Sequence, residues 1–247
     1  MRFDAVSSPN QRKSISTRTF ATACISVAMC GAFAALAATS PAIAAEPTGS
    51  TGSNDNLSID GLLAAFRRAP GIEAHFVETR QIALLALPLE SNGVIYFAPP
   101  GVLARHQTSP SASFQIIEPT RVRFGNDSHT ETIQLGDKPV VKAFVDSFVT
   151  LISGDKDTLY RLYTVAFKAA DPAQGGAWQL TLQPRVAPVS KVIARITLTG
   201  TGLVLSTMQL VETGGDETMT TFSNVNVART FTPDERTKLF RLSGKQP

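Results

Sequence analysis

Residues 178–183 read WQLTLQ, so that apolar and polar side chains alternate without a break. Residues 192–199, VIARITLT, largely repeat this alternation. Successive side chains of a β-strand point to opposite faces of the sheet, so each segment predicts a strand with one apolar face and one polar, solvent-exposed face. The same period of two, interrupted by Pro, Gly, Asn or Asp, recurs along much of the chain and predicts further strands.

We expect about eleven short strands, separated by turn-forming residues. They lie near 73–82, 92–98, 101–108, 112–117, 120–125, 128–134, 162–169, 177–184, 191–199, 203–212 and 217–228. The clearest turn signals are Asn92-Gly93, Pro99-Pro100-Gly101 and Gly125-Asn126-Asp127. Short strands with turns every 8–12 residues are typical of antiparallel sandwiches and barrels. The predicted fold class is therefore α+β with one extended antiparallel sheet.

Two longer segments have helical rather than strand periodicity. Leu57 to Ala69 predicts an amphipathic helix with Asp60 as its N-cap, which Pro70-Gly71 would end. In the middle of the chain, apolar residues from Val140 to Ile152 recur at helical spacing after the candidate cap Asp137.

Two shorter helical turns are also expected. Asp155 resembles a helix-start cap, followed by a short helix to Tyr160. Thr232 and Glu235 have the spacing of a capping box and predict a last helical turn.

The first 44 residues have the organisation of an export signal. Residues 1–18 are basic, 20–38 carry no charge, and 41–44 (PAIA) end in the small-residue pattern that a signal peptidase cleaves. We therefore expect a signal peptide over 1–44, cut after Ala44 or Ala45, a disordered tether over 45–56 and one domain over 57–247. The signal predicts an exported protein, and an uncleaved membrane anchor is the alternative.

Charge and cysteine content narrow the possible functions. The leader holds four of the 23 basic residues and one of the 20 acidic ones, which leaves 19 of each in the rest. This balance gives no basic surface for nucleic acid. Both cysteines, Cys24 and Cys30, lie in the leader, so the predicted domain has no disulfide and no thiolate metal site.

No catalytic motif stands out. His75, His106 and His129 do not have metal-ligand spacing, and there is no G-x-S-x-G elbow, dinucleotide fingerprint or P-loop. We expect neither an enzyme nor a metal or cofactor. An enzyme acting on envelope lipid stays open as an alternative, because two distant strands could bring carboxylates together.

Several segments together resemble a known family. They are LLALPLESNGVIYFAPPGVLAR at 84–105, Gly154-Asp155 before Leu159, WQLTLQPR at 178–185, ITLTGTG at 196–202, ETGGD at 212–216 and TFSNV at 221–225. In this order they resemble the outer-membrane lipoprotein carrier protein LolA, and more closely the LolA-related subgroup, over roughly residues 57–240.

The resemblance implies both a fold and a function. The implied fold is an unclosed, half-pipe β-barrel of eleven antiparallel strands, with helices as a lid over a hydrophobic cavity. The implied function is that of a monomeric periplasmic chaperone that takes a lipoprotein from an inner-membrane transporter to an outer-membrane acceptor. Two alternatives stay open: a lipid-binding sensory or regulatory module on the same fold, and a carrier of a glycolipid or acylated pigment-like lipid.

One residue departs from the family pattern. The lipoprotein carriers place a lid-binding arginine just before the proline that ends the second strand, and this chain has Pro99 there. The lid-locking role is therefore not transferred to this chain, and a cargo other than lipoprotein becomes a hypothesis.

The candidate lipid site combines the central helix and the apolar phase of the strands. Val140–Ile152 is the candidate lid, with an ordinary core helix as the alternative. The candidate cavity residues, each of which could instead be plain core, are Ile95, Phe97, Phe114, Ile116, Phe144, Phe148, Trp178, Leu180, Leu182, Ile196 and Leu198.

Overall fold

The computed structural model describes residues 58–139, 141–143, 145–146, 155–170 and 176–241. The predicted signal peptide and tether lie outside these residues. The strands are β1 (Ile72–Gln81), β2 (Leu89–Ala98), β3 (Val102–Ser109), β4 (Ser113–Ile117), β5 (Arg121–Gly125), β6 (Thr130–Gln134), β7 (Tyr163–Ala169), β8 (Ala177–Pro184), β9 (Ile193–Thr201), β10 (Val204–Glu212) and β11 (Glu217–Asn226). The helices are α1 (Ile59–Arg68), α2 (Lys156–Leu162) and α3 (Pro233–Leu239), with 3₁₀ turns at Leu135–Asp137 and Val189–Lys191.

All eleven strands belong to one antiparallel sheet, which confirms the predicted fold class. Their order is β6-β5-β4-β3-β2-β1-β11-β10-β9-β8-β7, and the two edge strands, β6 and β7, do not close it into a barrel. The chain runs outward from β1 to β6 at one edge, and from β7 at the other edge it returns to β11, which pairs with β1. The single break in strand periodicity therefore lies, in sequence, between the two edge strands.

Most of the core lies on one face of the sheet, which we call the inner face. On β8, Trp178, Leu180 and Leu182 are buried there, whereas Gln179 is exposed on the opposite, outer face. Helix α1 packs its apolar stripe, Leu62, Leu63 and Phe66, into the same cluster. On β9 a bulge opposite Val211 and Glu212 buries Ile193 in place of Ala194, which breaks the predicted alternation locally.

The outer face of β2–β5 has its own cover, the segment that follows β11. Phe240 is buried against Ala98, Ala104, Phe114 and Ile116 in a second apolar cluster, which we call the outer cluster. Arg123 holds this segment by donating hydrogen bonds to the carbonyl oxygens of Phe240 and Arg241, at 2.8 and 2.7 Å.

Helix starts agree only partly with the sequence predictions. Asp155 caps α2 through the amide of Thr158, and Thr232 with Glu235 forms the predicted capping box of α3. The N-cap of α1 is Ser58, which accepts from the amide of Gly61, so the prediction of Asp60 was wrong. Asp60 lies in the first turn instead, where a carboxylate also favours the helix dipole.

One predicted turn was also wrong. Asn92-Gly93 lies within β2, and the turn that precedes this strand is residues 82–88. A Cβ at Gly93 would stand 2.0 Å from the carbonyl oxygen of His106 on β3. The glycine therefore permits close approach of two backbones inside the sheet rather than a reversal of the chain.

The central helix is described only in part. Pro139, residues 141–143 and residues 145–146 are helical, and Val145 is buried in the inner core. Asp137 belongs to the preceding 3₁₀ turn, so Lys138 rather than the predicted Asp137 directly precedes the helical residues. Most of the predicted lid, including Phe144 and Phe148, lies outside the described residues. No described helix combines the length and apolarity needed to cross a membrane.

Candidate functional site

Two rows of apolar side chains run across the inner face from β10 to the edge strand β7. Cross-strand pairing aligns Met208, Leu198, Leu180 and Phe167 in one row. It aligns Leu210, Ile196, Leu182 and Val165 in the next row. Each row places one side chain per strand, so together they form a continuous hydrocarbon surface four strands wide.

The structure brings seven of the eleven candidate cavity residues into one cluster on the inner face. They are Ile95, Phe97, Trp178, Leu180, Leu182, Ile196 and Leu198. Phe114 and Ile116 are also buried, but they belong to the outer cluster under Phe240 and do not share this surface. The register of β4 decides this, because Leu103 opposite Ile117 leaves Gln115 and Ile117 as the inward positions.

Short helices cover the inner face. Helix α1 contributes three buried side chains, whereas α2 contributes one, Leu159. Val145 of the central helical residues is buried in the same cluster, and Val141 and Ala143 pack against it.

A group of polar side chains interrupts this apolar face. Arg105 and Glu78 form an ion pair at 3.2 Å, with Arg105 only 3% and Glu78 only 7% exposed. Arg105 also donates to Ser91 Oγ at 3.1 Å and to Gln107 Oε1 at 3.2 Å. Gln115, which pairs with Arg105 across β3 and β4, is 4% exposed. We call these residues, Glu78, Ser91, Arg105, Gln107 and Gln115, the polar cluster.

The polar cluster is continuous with the hydrocarbon surface. The Arg105 guanidinium lies 4.2 Å from the centre of the Phe76 ring, which belongs to the inner core. Glu78 of β1 lies opposite Thr220 of β11, and Thr220 lies opposite Met208 of β10, the first member of an apolar row. Polar and apolar parts of the inner face therefore meet within one or two strands.

Two further ion pairs, both made by Arg80, lie beside the cluster. Arg80 contacts Glu212 at 3.1 Å and Asp216 at 3.3 Å, and its strand neighbour Thr218 is 1% exposed. On the inner face, Arg80 is two residues beyond Glu78 along β1.

Five buried polar atoms in this region lack a hydrogen-bond partner in the described structure. They are Glu78 Oε2, Arg80 Nε, Arg105 Nε, Gln115 Oε1 and Thr218 Oγ1. Each buried, unsatisfied polar group costs about 1–3 kcal/mol, and native proteins hold few of them. Such a concentration on one face marks it as a place where a ligand could supply the missing partners.

The sequence reasoning missed the polar cluster, although a signal for it exists. Glu78, Arg105 and Gln115 occupy the same phase as apolar neighbours on their strands: Phe76, Leu103 and Ile117. The structure also shows where an arginine lies in place of the family's lid-binding arginine, whose position Pro99 occupies. The buried arginine is Arg105 on β3, and its contacts are side chains of the sheet.

A further apolar surface lies outside the core, at the loop between β1 and β2. Leu84 and Leu87 are 94% and 77% exposed, and Leu85 and Leu89 are also exposed. Elsewhere, no set of three His, Cys, Asp or Glu side chains in the described ranges could hold a metal ion.

Residues 51–240 match the family described as outer membrane lipoprotein carrier protein LolA-like. No curated protein sequence matches the chain.

The solved structures to which this chain is similar include three at low sequence identity. A LolA superfamily protein from Nitrosomonas europaea is 8% identical, with 73% of this chain and 97% of that chain covered and a TM-score of 0.39. MucB in the Pseudomonas aeruginosa MucA/MucB complex is 14% identical over 71% of this chain, at a TM-score of 0.44, and this chain spans 59% of its length. LprF from Mycobacterium bovis is 12% identical, with 71% and 95% covered and a TM-score of 0.33. The family match covers more than three quarters of the sequence, and the chain belongs to the LolA-like outer membrane lipoprotein carrier family.

Proposed function

We propose that this protein is a periplasmic carrier that binds the acyl chains of a lipoprotein or another lipid on its inner face. It moves this cargo from the inner to the outer membrane without chemical turnover. The observation that carries the proposal is the pair of apolar rows from β10 to β7, a surface broad enough for extended hydrocarbon chains. An acyl chain needs such a surface because each methylene taken out of water is worth about 0.8 kcal/mol.

The cover of this surface supports exchange with an acyl chain. Displacing α2 exposes the buried Leu159 and the partly buried Leu162, at a cost of about 2–4 kcal/mol. Burial of about five methylenes offsets that cost. Displacing α1 would expose Leu62, Leu63 and Phe66, together with the partly buried Ile59, and cost roughly twice as much. We therefore expect cargo to enter beside α2, and the lid role of residues 140–152 stays a prediction.

The first experiment identifies the ligand. The protein is purified from the periplasm of its own host and studied by native mass spectrometry, followed by lipid extraction. The proposal expects a stoichiometric acylated molecule. A protein that carries no lipid and also fails to bind the uncharged fluorescent probe 1-N-phenylnaphthylamine would contradict it.

A matched pair of variants locates the binding surface. Phe167 lies on the edge strand β7, packs against the inner core and stacks on Trp178 with ring centres 6.4 Å apart. We expect Phe167→Ser to weaken probe binding by about fivefold, which corresponds to about 1 kcal/mol. The control Ala166→Ser introduces the same residue on the outer face of the same strand and should leave probe binding unchanged.

Transfer distinguishes a carrier from a sensor. Loaded protein mixed with acceptor vesicles of host outer-membrane lipid should release its ligand into them. Retention of the ligand would favour the sensory or regulatory alternative.

A further inference from the structure

We propose that the polar cluster, together with Arg80 and Thr218, binds the uncharged, hydroxyl-bearing head group of the lipid. This inference rests on the proposed carrier function and specifies the class of cargo. It starts from four side chains that are more than nine-tenths buried on the inner face and have an atom without a partner in the described structure: Glu78, Arg105, Gln115 and Thr218.

The position of the cluster suits an amphiphile. Glu78 and Arg80 lie in the same cross-strand rows as the apolar side chains of β10–β7, through Thr220 and Thr218 of β11. A lipid with its chains along these rows therefore places its head group over the polar cluster. The Phe76 ring beneath Arg105 continues the apolar surface up to the charged groups.

The charge of this region disfavours an anionic head group. Arg105 is already paired with Glu78, and Arg80 with both Glu212 and Asp216. Two guanidinium groups and three carboxylates give these five side chains a net charge of −1. A phosphate or sulfate placed here would meet no uncompensated positive charge.

The unpartnered atoms specify hydroxyl groups. Glu78 Oε2 and Gln115 Oε1 accept hydrogen bonds, the Nε–H groups of Arg80 and Arg105 donate them, and Thr218 Oγ1 can do either. A hydroxyl both donates and accepts, so a head group with several hydroxyls can satisfy this mixed set. The ester oxygens and the thioether sulfur of an acylated cysteine only accept hydrogen bonds, and its nitrogen is the one donor close to the chains. Such a head group therefore offers fewer donors to Glu78 Oε2 and Gln115 Oε1 than a head group with several hydroxyls.

The test uses three amphiphiles with the same ten-carbon tail, below their micelle concentrations: decyl maltoside, decyl sulfate and decyltrimethylammonium. Affinities are measured by displacement of 1-N-phenylnaphthylamine from delipidated protein. We expect decyl maltoside to bind about tenfold more tightly than either charged amphiphile. Equal affinities, or a preference for the sulfate or the ammonium compound, would overturn the head-group inference.

Two variants assign the preference to these residues. Gln115→Leu removes the side-chain amide oxygen and nitrogen, and Thr218→Val removes one hydroxyl, with little change in shape. Each variant should weaken maltoside binding about fivefold. Binding of the uncharged probe should stay the same, which shows that the apolar rows are intact. The controls Gln179→Leu and Thr221→Val make the same changes at exposed positions of β8 and β11.

The results separate this inference from the proposed function. Probe binding without head-group preference, or with a preference that neither variant reduces, refutes the head-group site and leaves the carrier proposal standing. Failure to bind the probe and all three amphiphiles refutes both. If one variant does not fold, the other decides the outcome.

Discussion

Arg105 and Glu78 are the residues at which this sheet departs most from an ordinary apolar core. Both point inward on strands whose neighbouring inward positions are apolar, and their ion pair is almost fully buried. Desolvation of two charges is expensive, so a buried pair is weak evidence for stability but is costly to break. The proposed head-group site gives this pair a role that packing does not.

This account predicts an unusual mutant cycle. Arg105→Met should destabilise the protein by about 3–5 kcal/mol, because Glu78 is then a buried charge without its partner. The double variant Arg105→Met/Glu78→Leu should be more stable than Arg105→Met. Urea denaturation of the delipidated proteins measures both free energies of unfolding.

An exposed ion pair provides the control. Lys142 and Asp146 are about half exposed at an i, i+4 spacing, so Lys142→Met should change stability by less than about 0.5 kcal/mol. A double variant that is less stable than Arg105→Met would contradict this account, because the unpaired Glu78 would then not be the cause of the destabilisation.

His106 links the outer face of the sheet to pH. Its Nε2 lies 2.6 Å from the carbonyl oxygen of Leu239, at the end of α3. Burial lowers the pKa of His106 from its usual 6.5; the hydrogen bond to Leu239 opposes this shift, and the charge of Arg241 adds to it. The neutral imidazole is therefore the form that the folded protein favours.

The sign of the pH effect follows from linkage. As pH falls through about 6.5, the unfolded chain takes up a proton before the folded protein does, so stability is lost until the pH passes the folded pKa. We expect the melting temperature to fall between pH 7.5 and 5, and to fall less in His106→Gln, which cannot titrate. Identical pH profiles for the two proteins would contradict this role.

At the scale of elements, the loop between β1 and β2 carries apolar side chains that the fold does not need for its stability. Leu84 and Leu87 are so exposed that they contribute little buried area, and Leu84 is almost fully accessible.

In contrast, Arg123 fixes the segment after α3 to the sheet, and it forms an ion pair with Glu118, which also pairs with Arg121. Burial would raise the pKa of Glu118, but the hydrogen bonds and charges of Arg121 and Arg123 hold it below its usual value.

The leucines therefore give a testable separation. The double variant Leu84→Ser/Leu87→Ser should change the free energy of unfolding by less than about 0.5 kcal/mol per site. It should also bind 1-N-phenylnaphthylamine as tightly as the unmodified protein. We expect it to transfer cargo to vesicles more slowly, because the loop offers an apolar contact outside the binding surface. An unchanged transfer rate would exclude this loop from cargo transfer.

At the scale of the whole molecule, the order of the strands determines where the polar and apolar regions meet. The first and last strands, β1 and β11, pair in the middle of the sheet, with β2–β6 on one side and β10–β7 on the other. Glu78 and Arg80 stand on this central seam, and the two apolar rows extend from it to β7. One molecule thus places a polar centre beside a wide hydrocarbon surface, the arrangement on which the proposed carrier function rests.

The sequence by itself determined the number and approximate position of all eleven strands, the antiparallel class of the sheet and the capping of α2 and α3. These features depend on local periodicity and on capping side chains within a few residues, so they can be read from one segment at a time. The apolar phase of β8 and β9 likewise identified Leu180, Leu182, Ile196 and Leu198 as members of one surface.

Only the tertiary structure decided which face each strand turns inward and what meets there. Both faces of β4 are buried. Gln115 and Ile117 point to the inner face, whereas α3 and the segment after it cover Phe114 and Ile116 on the outer face. Alternation alone cannot distinguish the two pairs. Asn92-Gly93 has the residue types of a turn, but Gly93 is needed because the backbone of another strand, β3, approaches it closely. A single segment does not reveal that approach. The polar cluster assembles from β1, β2, β3 and β4 through cross-strand register, and register is a property of paired strands rather than of any single segment.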